Sequence, residues 1–182
     1  MYALRMSFHH IAIATRDLDA THRFYTEAMG FRLVKGDAIP TLEQSGWAKH
    51  LFYDTGNGEL FAVWELHDDT LPEFDAAISR GLGLPTWVNH LAFGAPDLET
   101  IETHKQRLLG LGHDVIEVDH GWCYSIYAND PNGTMVEFCC STRSLTDADA
   151  DEAGQLLEAE QPELSPPPAF YAVHEASATR VS

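Results

Sequence analysis

The alternation of apolar and polar positions divides the chain into short runs with a period of two, separated by stretches with helical spacing. The first period-two run covers 7–14, with Ile11 and Ile13 on one face and His10, Ala12 and Ala14 on the other. A helix is predicted over 20–29, capped by Asp17 or Asp19 and stopped at Gly30. Further strands are predicted over 31–34, 48–54 and 59–66. A loop with Pro40 fills 36–47, and the last two strands form a hairpin around Gly56, Asn57 and Gly58.

The same order then recurs. His10, Asp17, Leu18 and Gly30 are matched by His90, Asp97, Leu98 and Gly110, all at one offset of 80 residues. A constant offset across a strand and a helix marks an internal duplication. In the second copy the runs 122–128 and 134–140 form a hairpin around Asp130, Pro131, Asn132 and Gly133, where Pro presets one backbone angle and Gly supplies a positive one. The predicted architecture is α+β, with two tandem βαβββ modules (1–66 and 88–144) forming one curved mixed sheet around a cleft. A linker over 67–87 carries a short helix over 71–80. The tail, 145–182, holds a helix over 147–160, then Pro166 to Pro168, and then Phe170, Tyr171 and Val173, which can pin its end.

Composition narrows the function. A chain of 182 residues that is 45% apolar can build a sizeable core. Its net charge of -17 repels phosphate backbones and anionic lipid, so neither nucleic acid nor membrane is an expected partner. Part of that charge lies in the tail, where eight acids face Arg180 alone. No apolar run approaches the roughly 20 residues of a membrane span, and the first residues do not resemble a signal peptide. Cys123, Cys139 and Cys140 form no Cys-x-x-Cys pair and read as reduced thiols, as expected in the cytoplasm.

The candidate chemistry centres on Glu137. It shares a strand face with Met135 and Cys139, while Val136 and Phe138 point into apolar packing. A carboxylate in so apolar a run must be paired, protonated or bound to metal. His10 and His90 hold equivalent positions, and their same-face neighbours (Ala12 and Ala14, Ala92 and Gly94) are small enough to leave room for an ion and a ligand. Two imidazoles and one carboxylate on three strands suit the facial triad of non-haem Fe(II), and would make the cleft a metal-binding one.

Residues 7–140 resemble the vicinal oxygen chelate superfamily. Val118, His120, Ile126, Tyr127, Asp130, Pro131, Gly133 and Glu137 are similar to the signature of its type I extradiol ring-cleavage dioxygenases. The resemblance implies a metal held by His10, His90 and Glu137, Fe(II) first, with Mn, Zn or Ni as alternatives. It also implies Tyr127 as hydrogen-bond donor to an oxygen on the metal, and His120 as an acid or orienting group. The implied reaction is cleavage of a catechol-like aromatic diol by O2, as in aromatic catabolism, and the implied assembly is a homodimer.

One departure concerns the acid and base. Family enzymes of this type carry a His-His pair where this chain has Gly58 and Glu59, so Glu59 becomes the candidate, with His50 and His67 behind it. Ala62 aligns with Glu137, and Glu65 has the wrong strand parity, so a fourth ligand is not expected. This disfavours the alternative, a redox-neutral glyoxalase-like lyase or isomerase. A drug-sequestering binding protein of the same fold is a third reading. Trp47, Trp64, Trp87 and Trp122 are expected in core packing, His9 in a structural role, and His22, His104 and His113 in solvent.

Overall fold

Residues 7–42 and 45–177 are described by a computed structural model of the chain. The α+β fold with tandem βαβββ modules is as expected, but its strands form two hydrogen-bonded sheets in place of the one predicted, of four and five strands. The chain divides into two compact units. One runs to Leu91 and includes Asn129–Met135; the other comprises Ala92–Ala128 and the chain from Val136.

The first unit contains β1 (His10–Thr15), α1 (Leu18–Arg23), β2 (Arg32–Pro40), β3 (Trp47–Asp54) and β4 (Leu60–His67), in sheet order β1-β4-β3-β2. The Asp17 carboxylate caps α1 by accepting from Ala20 N at 2.9 Å. The helix continues as a π-helical turn over Phe24–Ala28, which buries Phe24, Tyr25 and Ala28. Tyr25 packs on Phe61 with ring centroids 4.1 Å apart, and Ile13, Tyr53, Phe61 and Val63 complete this core. The opposite face, with His10 and Ala12, is exposed on β1. β2 is longer than predicted and takes up the first five residues, 36–40, of the expected 36–47 loop. Pro40 is tolerated because it ends the outermost strand, opposite Trp47.

The linker forms no helix over 71–80. Its only regular piece is a 3-10 turn, Arg80–Leu82, because its polar groups are spent on tertiary contacts. Glu73 pairs with Arg16 at 2.6 Å, Ile78 N donates to Thr134 Oγ1, and Arg80 reaches from Asp75 to the Asn132 carbonyl at 2.9 Å. Gly133 lies under that guanidinium. Its φ of 88° favours glycine, and a Cβ there would also push the Arg80 guanidinium aside.

The five-stranded sheet has the order β5-β8-β7-β6-β9, with β5 (His90–Gly94), β6 (Val115–Asp119), β7 (Cys123–Asn129), β8 (Met135–Ser141) and β9 (Phe170–His174). In the second unit, α2 (Leu98–Gly110) buries Ile101, Lys105 and Leu108. Lys105 and Glu117 form an ion pair at 3.0 Å, and Tyr124 donates to the same carboxylate at 2.9 Å. α3 (Asp147–Glu158) is held by a capping box between Thr146 and Asp149, and none of its residues is buried. The tail end is pinned as β9, whose pairing with β6 is joined by a contact from His174 Nε2 to Glu117 at 2.5 Å. Among the described residues, no helix is long and apolar enough to cross a membrane.

Candidate functional site

Two turns bring the polar signature residues together. Across the β7–β8 hairpin, Asp130 N donates to Thr134 O at 2.9 Å at one end, and Thr142 N donates to Trp122 O at 2.9 Å at the other. Both bonds belong to one antiparallel register, which puts Tyr127 opposite Glu137 and Ser125 opposite Cys139. These are the non-hydrogen-bonded positions, where facing side chains approach most closely. Between β6 and β7, Gly121 (φ 83°) turns the chain and donates to Asp119 Oδ1 at 2.8 Å. That turn swings His120 over the sheet, and its Nε2 lies 2.9 Å from the Tyr127 hydroxyl.

His120, Tyr127 and Glu137 therefore form a continuous polar set. Glu137 is 5% exposed, Tyr127 is half-buried and His120 is open. Burial, together with the neighbouring Glu137 carboxylate, raises the Tyr127 phenol well above its ordinary value, so it is a proton-bearing donor at neutral pH. Beside it, burial and the Cys139 thiol push Cys123 up to about 12. Cys123 is an inert neutral thiol.

Two residues of the signature, Asp130 and Gly133, have a folding role together with Asn132 between them. Asp130, 5% exposed, accepts from Asn132 N at 2.9 Å and Thr134 N at 2.8 Å, and from the Tyr25 hydroxyl at 3.2 Å. Asn132 Oδ1 accepts from Thr15 Oγ1 at 3.0 Å. Asp130, Asn132 and Gly133 thus fasten the turn to β1, α1 and the linker. Burial raises Asp130 above the ordinary carboxylate value against the pull of these donors.

The expected metal donors occupy strand positions of the expected kind. His10 is exposed on β1, its Nδ1 2.9 Å from His9 Nδ1 and its ring edge-on to Phe52. His90 is exposed on β5 and its Nδ1 donates to the Trp87 carbonyl at 2.9 Å, which leaves Nε2 as the nitrogen carrying the lone pair. Ala12 and Ala92 are exposed, and the Cα of Gly94 borders open space. Among the described residues, no group of three or more His, Cys, Asp or Glu is placed to hold a metal ion. Taken singly, an imidazole and a carboxylate are donor types that divalent ions accept.

The remaining candidates separate. Glu59 lies half-exposed in the β3–β4 turn, where its backbone carbonyl accepts from Thr55. His67 is stacked on Trp47 and paired with Glu65 at 2.9 Å. His50 lies flat on Trp64, with centroids 3.7 Å apart and Nε2 buried without a hydrogen-bond partner.

Several expected environments are reversed. Trp47, Trp87 and Trp122 are exposed and Trp64 is half-buried, so none is a core residue. His104 is not solvated but stacks on Phe138 at 3.7 Å, and burial lowers it to about 4. His22 contacts the Tyr53 hydroxyl at 3.1 Å, burial lowers His113, and His9 is exposed. Helix position alone did not reveal which histidines cover the sheet.

The sequence profile of the glyoxalase/bleomycin resistance protein/dioxygenase superfamily matches residues 7–138. A search of curated proteins finds no match. Among solved structures the chain is similar to a glyoxylase/bleomycin resistance protein/dioxygenase domain from Frankia sp. EAN1pec, with 17% identity, 75% of this chain and 98% of that one covered, and a TM-score of 0.59. It is also similar to the fosfomycin resistance protein FosX from Listeria monocytogenes (21% identity, 78% and 96% covered, TM-score 0.52). A third is a lactoylglutathione lyase from Agrobacterium tumefaciens (20% identity, 76% and 96% covered, TM-score 0.51). At these identities the likeness is one of fold. Since the profile spans both modules and the hairpin that carries Tyr127 and Glu137, the chain belongs to the glyoxalase/bleomycin resistance protein/dioxygenase superfamily.

Proposed function

We propose that this protein is an Fe(II)-dependent extradiol-type dioxygenase that cleaves a catechol-like diol with O2. The observation that carries the reading is the set His120, Tyr127 and Glu137, three signature residues from separate positions joined by a 2.9 Å contact and a cross-strand pair. His10, His90 and Glu137 are the residues that would hold the ion. When bound, it would supply Lewis acidity and a common binding place for diol and oxygen.

The chain's own residues would manage the proton. Tyr127, kept protonated by burial, would donate through Oη to an oxygen of the substrate. His120 Nε2–H, 2.9 Å away, would donate to the phenol oxygen and so orient Tyr127 toward the substrate, part of a positioned acid-base arrangement of the kind worth about 10²–10⁴-fold in rate. Glu59, in its turn, receives no role in this scheme. We propose further that the protein is a homodimer and works in the cytoplasm, where its free thiols and a ferrous ion both find reducing conditions.

The test is oxygen consumption by protein loaded anaerobically with Fe(II) and given a panel of catechols, with His90→Ala as control. Uptake that requires both the catechol and His90 is expected. Turnover supported by Zn, Ni or Mn without oxygen would replace this reading with the redox-neutral one.

A further inference from the structure

The superfamily match ends at 138, yet the sheet does not end with the modules: β9 extends it at the outer edge. Register ties β9 to the face described above. Val173 pairs with Ile116 and Ile116 with Tyr127, while Tyr171 pairs with Val118 and Val118 with Ser125. Paired residues share a sheet face, so one row runs Val173, Ile116, Tyr127, Glu137. This row grades from buried to open, with Glu137 at 5% exposure and Val173 at 57%; Tyr171, in the next row of the same face, is 59% exposed beside the buried Val118 and Ser125.

The anchoring of β9 does not use these two side chains. Its ladder with β6, the His174 contact to Glu117, and the bonds from Ala169 N to Asp119 O and Ala176 N to Asp114 Oδ1 hold it in place. Tyr171 and Val173 thus present more than half of their surface to solvent, on the face that carries Tyr127 and Glu137. Three strand spacings of roughly 4.8 Å separate β9 from β8. A single ring bound at Glu137 ends short of β9, whereas a ring-sized apolar substituent on it would reach.

We infer that β9 is the outer wall of the substrate site, where Tyr171 and Val173 select diols carrying an extended apolar substituent over unsubstituted catechol. This rests on the diol-binding reading above. The continuity of the row with Tyr127 and Glu137 favours substrate as the occupant over a second copy of the chain.

The experiment compares catechol with 3- and 4-phenylcatechol on the full-length, Fe(II)-loaded protein, using anaerobic calorimetry for Kd and oxygen uptake for KM. The wild type is expected to bind at least one phenylcatechol more tightly than catechol. Tyr171→Ala combined with Val173→Ala is expected to weaken that phenylcatechol about tenfold, the scale of losing a partly buried apolar contact, while leaving catechol within about twofold. Tyr171→Phe, which keeps the ring, should retain the selectivity, and a thermal melt of each variant monitors folding.

Equal weakening of both diols, no change in either, or a change only in oligomeric state on size exclusion would overturn the assignment of β9. Phenylcatechol selectivity that depends on Tyr171 but comes without oxygen uptake would sink the dioxygenase reading and leave this one standing. If the wild type binds no diol at all, both fall.

Discussion

The hairpins β3–β4 and β7–β8 share a pairing and differ in chemistry. Phe52 faces Ala62 across the first, and Tyr127 faces Glu137 across the second. One step further from the turn, His50 faces Trp64 in the first hairpin, and Ser125 faces Cys139 in the second. Matching backbone positions are thus filled with ring and methyl in one copy and with phenol and carboxylate in the other. The turns differ as well. In the first, the half-buried Asp54 accepts from Gly56 N at 2.9 Å and from the exposed Arg32 at 3.2 Å, whereas the buried Asp130 collects donors from its own turn and from Tyr25. A duplicated fold supplies two equivalent slots, and side chains alone give one of them a polar set.

The largest effects should come from making the second hairpin resemble the first. Glu137→Ala is expected to lower metal-dependent oxygen uptake by at least about 100-fold, since even the partners of metal ligands are worth about 10–100-fold. Tyr127→Phe, which copies Phe52, should lower kcat by about 100-fold with an unchanged melting temperature. Retained activity in either variant would end the assignment of catalysis to this hairpin.

Next in size is the turn. Asp130→Ala should cost about 3 kcal/mol in urea unfolding, because it leaves buried N–H and O–H donors unpaired. Asp54→Ala should cost visibly less. The two turns also differ with pH. Because the folded Asp130 value is raised, its carboxyl contributes most below the ordinary carboxylate pKa and loses that contribution as pH rises through the raised value. Asp130→Asn should flatten this slope.

A smaller effect with the opposite sign belongs to α2 against the sheet. His104 is lowered to about 4, so its contribution is complete above the unfolded value near 6.5 and is lost as pH falls toward 4. His104→Leu should reduce the loss of stability between pH 6.5 and 4, measured by urea titration at each pH. Smallest of all, Glu59→Gln should change kcat/KM by less than about twofold, as for an ordinary surface substitution. A loss of 100-fold would restore it as the acid and base.

Much of this was legible in the chain. The 80-residue offset identified the duplicated module, and the turn residues Asp130 to Gly133 marked the second hairpin. Alternation correctly put Glu137 opposite the packed face of Val136 and Phe138, both of which are buried. The surroundings of single side chains were harder to read. Four tryptophans expected in the core lie at or near the surface, and histidines expected in solvent pack against the sheet, because periodicity assigns a face but not what covers it. The linker helix failed for a related reason. Its groups bond to Arg16, Thr134 and Asn132, partners far away in sequence that no local propensity registers.

The sequence by itself determined the module order, the strand faces and the types of residue available for chemistry, since all three follow from short-range periodicity and turn geometry. Only the tertiary structure decided that Asp130 and Asn132 serve the fold while His120 and Tyr127 meet, and that the acidic tail adds a fifth strand to the sheet that carries Tyr127 and Glu137. Those outcomes depend on contacts between residues distant along the chain, whose energies exist only once the strands are paired.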